Sequence, residues 1–127
     1  MKEAGPIRFG VNYLPNAALA TLRWVQVAEE VGFDIVGIAA SQSLYRDVYM
    51  CLGLCAANTQ RVRLGPRVIN PLTRHPAIAA SAAATLEEMA PGRTMLGIGT
   101  GDSAVLNLDL RPSTRAQLTH YVDVVRQ

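Results

Sequence analysis

A glycine-rich run with one carboxylate is the stretch of the sequence best suited to chemistry. It reads Gly97-Ile98-Gly99-Thr100-Gly101-Asp102-Ser103-Ala104 and follows a short apolar segment. Glycines let a ligand come close to the backbone, and a carboxylate such as Asp102 can accept a hydrogen bond or exchange a proton. The alternative is a turn made of residues that tolerate one, in which Asp102 closes the turn or caps the next segment.

A second loop combines arginine and histidine with several prolines. Residues 65–76 contain three prolines, and Arg67, Arg74 and His75 lie among them. A guanidinium is a planar fork that can hold an anion, and an imidazole titrates near neutral pH. The competing interpretation is that Arg74 pairs with a carboxylate at a helix end and that His75 caps a helix.

Other nucleophiles and metal ligands are less promising. A hydrolase is disfavoured because no G-x-S-x-G motif surrounds any of the candidate serines, which are Ser41, Ser43, Ser81 and Ser103. Cys51 and Cys55 are four residues apart in a segment with helical character, and further ligands are lacking nearby. We therefore interpret both cysteines as reduced core residues and predict no metal site.

Four β/α units position these loops. Strands are predicted to start near residues 7, 35, 62 and 95, and they alternate with helices over residues 16–31, 47–58 and 76–89 and from residue 113 onward. Asn16 and Asp47 are predicted helix caps, and Thr114 with Gln117 forms a capping box. Pro112 delays the last helix, so none is predicted directly after the glycine-rich run. A spacing of roughly 30 residues per unit is typical of a parallel (β/α)8 barrel, whose ligands bind at the carboxyl ends of the strands.

Length and composition indicate half of such a barrel. The chain has 127 residues, whereas a complete barrel needs about 250. Hydrophobic residues make up 50% and charged residues only 17%, which is little charge to cover a large free surface. Four strands cannot close a barrel, and the outer two would expose apolar edges. We therefore expect a single α/β domain over residues 1–127, a parallel (β/α)4 half of a TIM barrel that forms a homodimer or pairs with a second half-barrel.

Charge and hydropathy exclude several classes of partner. The net charge is +2 and the basic residues are scattered, so the sequence predicts no nucleic-acid surface. No stretch reaches the roughly 18 to 20 apolar residues of a membrane span. We expect a cytoplasmic protein that acts on a small molecule.

Three separated motifs together resemble a known family. They are residues 34–43, residues 61–66 with Asn70-Pro71-Leu72-Thr73-Arg74-His75-Pro76-Ala77, and Pro91-Gly92-Arg93 with the glycine-rich run. In this order they look like the luciferase-like flavin- or coenzyme F420-dependent oxidoreductases, in the branch similar to methylenetetrahydromethanopterin reductase. The resemblance implies a (β/α)8 barrel, usually dimeric, that binds FMN or F420 at the carboxyl ends of its strands. It also implies hydride transfer between that cofactor and a small organic substrate.

The resemblance further implies roles for single residues. The third strand is expected to end in a bulge, often with a non-proline cis peptide, at Arg67 and Val68. Asp102 matches the family's carboxylate near the reactive face, and Ser41 is the second catalytic candidate. The expected cofactor contacts are Arg67, Val68, Asn70, Thr100, Gly101 and Ser103.

Two departures from the family pattern stand out. Ala40 occupies the position, before Ser41, where the family commonly carries an acid. Arg67 stands where relatives tend to have glycine, and its bulk is expected to crowd the bulge or to reach an anionic cofactor. Two other functions stay open: a catalytically inactive half-barrel that self-associates or binds a partner, and a module that binds a small anion with Arg67, Arg74 and the glycine-rich turn.

Overall fold

The protein, described by a computed structural model over residues 5–127, has one parallel sheet with helices packed against it. Strands β1 (Gly10–Tyr13), β2 (Ile35–Ile38) and β3 (Arg63–Pro66) pair in chain order. β1 begins later than the predicted residue 7, because its pairing with β2 starts only at Gly10. The predicted parallel α/β architecture is confirmed, while residues 1–4 of the predicted half-barrel lie outside the described residues.

Helices follow the strands as the sequence pattern predicts, with one addition. The four predicted helices are observed, and a fifth, short one begins directly after the glycine-rich run. Their bounds are α1 (Ala18–Glu30), α2 (Val48–Ala57), α3 (Pro76–Met89), α4 (Ser103–Leu106) and α5 (Arg115–Val125). The expectation that no helix starts between Gly101 and Pro112 was therefore wrong.

Local capping explains where most of these helices begin. The Asp47 carboxylate accepts hydrogen bonds from the backbone N–H groups of Tyr49 and Met50 at the start of α2. Thr114 and Gln117 form the predicted capping box of α5. Asn16 was the wrong cap for α1, because the capping position is Ala17, which has no side-chain acceptor. Packing must then stabilise the first turn of α1.

The predicted fourth strand is present only as an interrupted partner of β3. Residues 94–98 run parallel to β3 through two isolated bridges, Leu64 with Thr94 and Ile69 with Ile98. Between these bridges β3 advances five residues and its partner four, so β3 contains a bulge with one extra residue. The bulge lies at Arg67–Val68, where the peptide bond is cis, as the family resemblance implies. It prevents a continuous fourth strand.

The core lies between the sheet and the helices. Val36, Ile38 and Leu64 are buried from the sheet, and Val25 and Leu52 are buried from α1 and α2. Because strand side chains alternate between faces, the residues between these positions lie on the opposite face. Gly37 and Gly65 are such residues, in register with Asn12 of β1. We call this the inner face, since it would line the interior of a complete barrel.

The two cysteines belong to this core. Cys51 and Cys55 are both buried and unbonded to each other, which confirms the reduced state expected from their spacing. Burial raises the pKa of the Cys55 thiol to about 12, so this group stays protonated at neutral pH. Burial thus disfavours a reactive thiolate at that position.

Candidate functional site

The loops at the carboxyl ends of the strands border a half-open cavity of about 240 Å³. It receives residues from the loop after β1, the loop after β2, the bulge of β3 and the glycine-rich run. The eight residues predicted for the site are drawn together here with one exception, Thr100. Those that line the cavity are Ser41, Arg67, Val68, Asn70, Gly101, Asp102 and Ser103.

Two glycines of the run, Gly97 and Gly99, leave space that the side chain of Val68 approaches. A Cβ on Gly99 would lie 2.9 Å from Val68 Cγ2, and one on Gly97 would lie 3.2 Å from Val68 Cγ1. Gly101 has φ +104°, a conformation that side chains rarely adopt. Gly97 and Gly99 therefore leave room for Val68 of the β3 bulge, while the approach of a ligand to this run stays a prediction.

Arg67 lies across the inner face of the sheet. A Cβ on Gly37 would lie 2.7 Å from Arg67 Cγ, so only glycine at that position lets the stem of the arginine cross β2. Arg67 is exposed and forms no ion pair within the described part of the chain. Its guanidinium is therefore free to receive an anionic group at the cavity.

Two hydroxyl groups join the second and fourth loops. Ser41 Oγ and Ser103 Oγ lie 2.7 Å apart, and Ser41 is only 9% exposed. Beside them, Gln42 Nε2 donates a hydrogen bond to the carbonyl of Ala104 at 2.6 Å. These contacts fix the loop after β2 against the start of α4, and they hold both hydroxyls at the cavity wall.

Asp102 stands at the capping position of α4 but does not cap it with its side chain. Its backbone carbonyl accepts hydrogen bonds from the N–H groups of Val105 and Leu106. Among the residues that the structure describes, none donates a hydrogen bond to the Asp102 carboxylate. The turn-capping alternative therefore lacks the contact that it requires, and the carboxylate is free at the cavity.

Asn70 and Thr100 each make hydrogen bonds within their own loops. Asn70 is 1% exposed, and its amide closes its own loop by accepting from Leu72 and Thr73 and donating to Thr73 Oγ1. Thr100 lies outside the cavity lining, and its carbonyl accepts hydrogen bonds from the N–H and hydroxyl groups of Ser113. Both residues shape the loops that hold the site.

Arg74 and His75 follow the competing interpretation of their loop. The Arg74 guanidinium lies 2.9 Å from the Asp47 carboxylate and 4.8 Å from the centre of the Tyr49 ring. His75 Nδ1 accepts a hydrogen bond from the N–H of Ala77 and so caps α3. Neither residue lines the 240 Å³ cavity.

Sequence reasoning missed the apolar side of the cavity and its aromatic residue. Leu14, Ala39, Ala40 and Tyr45 line it together with the polar residues. Tyr45 is positioned by its own N–H, which donates to the carbonyl of Ser41 at 2.9 Å. The available signal for Tyr45 was an aromatic residue, next to Leu44, in the loop after β2.

Metal and membrane chemistry find no support in residues 5–127. No group of three or more metal-binding side chains converges within this range. No helix in the same range is both long and apolar enough to cross a membrane. The cavity is thus a site of carboxylate, hydroxyl and guanidinium groups beside an apolar wall.

Comparison with known proteins decides the family. The model of the luciferase-like monooxygenase family matches residues 6–127, which is nearly the whole chain. The chain belongs to this family. The luciferase-like chain is 39% identical over 100 residues to the 5,10-methylenetetrahydromethanopterin reductase of Methanolobus tindarius, a match that covers 78% of the chain and 30% of the relative. It is 40% identical over 109 residues to the F420-dependent glucose-6-phosphate dehydrogenase of Nakamurella multipartita, covering 80% and 30%.

Solved structures agree with this family assignment. The coenzyme F420-dependent tetrahydromethanopterin reductase of Methanopyrus kandleri superposes with a TM-score of 0.86 at 28% identity, over 97% of this luciferase-like chain and 40% of that one. A type II Baeyer–Villiger monooxygenase of Pseudomonas putida, solved with FMN, shares the fold with a TM-score of 0.78 at 20% identity, over 94% and 38%. The chain spans about a third of the length of the curated relatives it matches. Its fold is part of a luciferase-like barrel.

Proposed function

We propose that this chain forms the amino-terminal wall of an oxidoreductase site, in which a hydride passes between a small organic substrate and coenzyme F420 or FMN. One observation carries the proposal: seven residues expected from the family resemblance line a single cavity at the carboxyl ends of the strands. The Asp102 carboxylate and the Arg67 guanidinium there are both without partners in the described residues. The family assignment supports redox chemistry over other uses of such a cavity.

The cavity lining suits a flat heterocycle with polar edges. Val68, Leu14 and Ala40 offer apolar contact to a ring face, while Arg67 and the two serine hydroxyls offer hydrogen bonds at an edge. When bound, such a ring supplies the hydride chemistry. The chain itself supports the ring and keeps water from one side of it. At about 240 Å³ the cavity is smaller than the roughly 300 to 1,000 Å³ of a complete ligand site, so we propose that it forms one wall of such a site.

Asp102 is the proposed proton carrier of the site. Asp102 lines the cavity, and no hydrogen bond in the described residues commits its carboxylate to the turn. The hydroxyl pair of Ser41 and Ser103 adds a hydrogen-bond donor, which can stabilise negative charge on a bound oxygen or nitrogen atom. General acid–base groups of this kind typically contribute about 10² to 10⁴-fold to a rate.

F420 is the cofactor we favour over FMN. Relatives that match at 38 to 40% identity are named for F420 or for methylenetetrahydromethanopterin reduction. The neighbour solved with FMN is only 20% identical, a likeness that supports the fold alone. FMN remains the second candidate.

A chimera tests this function. The chain replaces the matching amino-terminal segment of the Methanolobus tindarius reductase, and the product is assayed for binding of F420 and FMN by fluorescence and for F420-dependent reduction. We expect F420 binding, weaker FMN binding and measurable turnover. A chimera that folds by circular dichroism, yet neither binds F420 nor turns over, would contradict the proposal.

A second function, a catalytically inactive module that self-associates or binds a partner, is favoured by the free edge of β1. There Val11, Phe33 and Val31 line an apolar groove of about 180 Å³ with Trp24, which is 57% exposed. If the chain acts as such a module, sedimentation at micromolar concentration gives a dimer, and Trp24→Glu gives a monomer. Met50→Glu, on exposed α2 surface outside the groove, is the matched control. A stable monomer of the wild-type chain at this concentration would contradict the self-association hypothesis.

A further inference from the structure

A second, smaller cavity adjoins the candidate redox site. It has a volume of about 70 Å³ and lies between the loop after β2 and the loop after β3, against the start of α2. Ala40 and Ser41 line both cavities, so they form a shared wall. Since a water molecule occupies about 30 Å³, the smaller cavity has room for a carboxylate or a phosphate-sized group. We call it the arginine hollow, after Arg46 and Arg74 in its lining.

The charge in the arginine hollow is positive. Its one carboxylate, Asp47, is fully engaged: Oδ1 accepts from two backbone N–H groups of α2, and Oδ2 accepts from Arg74. Arg46 has no ion-pair partner in the described part of the chain. The amino end of α2, a helix of ten residues, adds partial positive charge. One guanidinium at this half-open pocket, that of the exposed Arg46, therefore lacks a counter-charge.

Two of the donors around the hollow, Arg74 and Thr73, are held in place before any ligand arrives. Arg74 is fixed by Asp47 and by the face of the Tyr49 ring. Thr73 Oγ1 accepts a hydrogen bond from the amide of the buried Asn70, which leaves the hydroxyl proton of Thr73 to be donated elsewhere. Donors held in this way bind an anion without a further ordering cost for each side chain.

We propose that the arginine hollow binds an oxyanion, with Arg46, Arg74 and Thr73 as its donors. The anion is a phosphate or carboxylate that belongs either to the substrate or to the phosphate-bearing part of the cofactor, and its parent molecule reaches across the wall at Ala40 and Ser41. The second half of this proposal rests on the proposed function. Anion binding itself does not, because this chain alone supplies all the lining residues of the hollow.

Phosphate titration of the 127-residue chain tests anion binding directly. Inorganic phosphate is added at constant ionic strength, with chloride as the balancing salt, and backbone amide shifts are followed by NMR. We expect saturable shifts at Arg46, Val48 and Thr73. Arg46→Gln removes a charge-assisted contact and should weaken phosphate binding by at least about tenfold. Arg46 is exposed and its side chain forms no hydrogen bond or ion pair in the described residues, so this variant should fold.

The matched control is Arg23→Gln, which removes the same charge from an exposed position on α1. It should leave the phosphate affinity unchanged. Equal phosphate affinities for wild type and Arg46→Gln, or no saturable shifts at all, would overturn the proposal. Neither result would bear on hydride transfer, since phosphate titration involves no cofactor.

The chimera distinguishes the two sources of the anion. If the hollow binds the substrate, Arg46→Gln raises the KM for substrate and leaves the dissociation constant of F420 unchanged. If it binds the phosphate of the cofactor, the dissociation constant of F420 rises and the KM for substrate does not. A chimera in which Arg46→Gln changes neither constant would contradict a role of the hollow in ligand binding.

Discussion

Arg93, at the amino end of the sheet, and the two residues Asp102 and Arg67, at the carboxyl end, use their charges in opposite ways. At the amino end, the Arg93 guanidinium donates hydrogen bonds to four oxygen atoms, on Ala56, Thr59 and Val62. At the carboxyl end, the Asp102 carboxylate and the Arg67 guanidinium have no side-chain partner in residues 5–127. In a β/α barrel the amino end serves stability and the carboxyl end holds the active site. Arg93, Asp102 and Arg67 follow that division, whereas Asp47 and Arg74 at the carboxyl end pair with each other.

Glu29 is an acidic residue at the amino end of the sheet whose carboxylate is fully engaged in hydrogen bonds. Its carboxylate accepts hydrogen bonds from the backbone N–H groups of Gln60, Arg61 and Val62, at the entry to β3. Partial burial raises the pKa of Glu29, but these three hydrogen bonds and the charge of Arg93 lower it by more, so the pKa is lowered overall. Glu29 and Arg93 together fasten α1, α2 and β3 at one end.

The largest effect on stability is expected at Arg93. Arg93→Ala leaves carbonyl groups at the end of α2 without donors, so it should lower the free energy of unfolding by roughly 3 kcal/mol. Urea denaturation followed by circular dichroism measures this change. Arg111→Ala, at an exposed position in a loop, is the control and should shift the value by less than about 0.5 kcal/mol. Equal stabilities for both variants would break the comparison between the two ends.

A smaller, pH-dependent effect is expected at Glu29. A carboxyl whose folded pKa lies below the unfolded value of about 4.3 stabilises fully above that value, and the contribution disappears as the pH falls through the folded pKa. Glu29→Gln should therefore cost roughly 1 to 2 kcal/mol at pH 7 and much less at pH 3. Urea denaturation at both pH values gives the comparison, with Glu30→Gln as the neighbouring exposed control. A Glu29→Gln deficit that is the same at both pH values would contradict this account.

The smallest effect on stability is expected at Asp102. Asp102→Asn removes a charge that no hydrogen bond engages in the described residues, so the free energy of unfolding should change by less than about 0.5 kcal/mol. The same urea titration measures it. A loss of more than about 1 kcal/mol would mean that Asp102 stabilises the turn. Asp102 would then have a structural role, like that of Arg93 and Glu29 at the amino end.

Local chemistry made much of the fold predictable. Asp47, Pro76 and Thr114 mark helix starts through short-range rules, and all three helices begin where those rules place them. The family resemblance located the bulge at Arg67 and Val68. Strand spacing then predicted the carboxyl-end loops as neighbours, so most of the cavity lining was accessible from sequence.

Features that depend on distant contacts were not predictable. α4 has only four residues and is held by the burial of Ala104 and Val105, which no local periodicity reveals. The fourth strand is interrupted because the extra residue in the bulge that follows β3 breaks the series of hydrogen bonds between β3 and residues 94–98. Likewise, nothing in the spacing of Gly97 and Gly99 says that Val68 fills the space above them.

The rate of hydride transfer in the chimera tests the central claim most directly. Asp102→Asn keeps the shape of the side chain but removes its charge and its exchangeable proton. The account predicts a loss of about 10² to 10⁴-fold in the single-turnover rate, with an unchanged dissociation constant for F420. Asp109→Asn, at a left-handed position that asparagine tolerates, is the control and should keep the full rate. A loss below about threefold at Asp102, with F420 affinity unchanged, would contradict a catalytic role for this carboxylate.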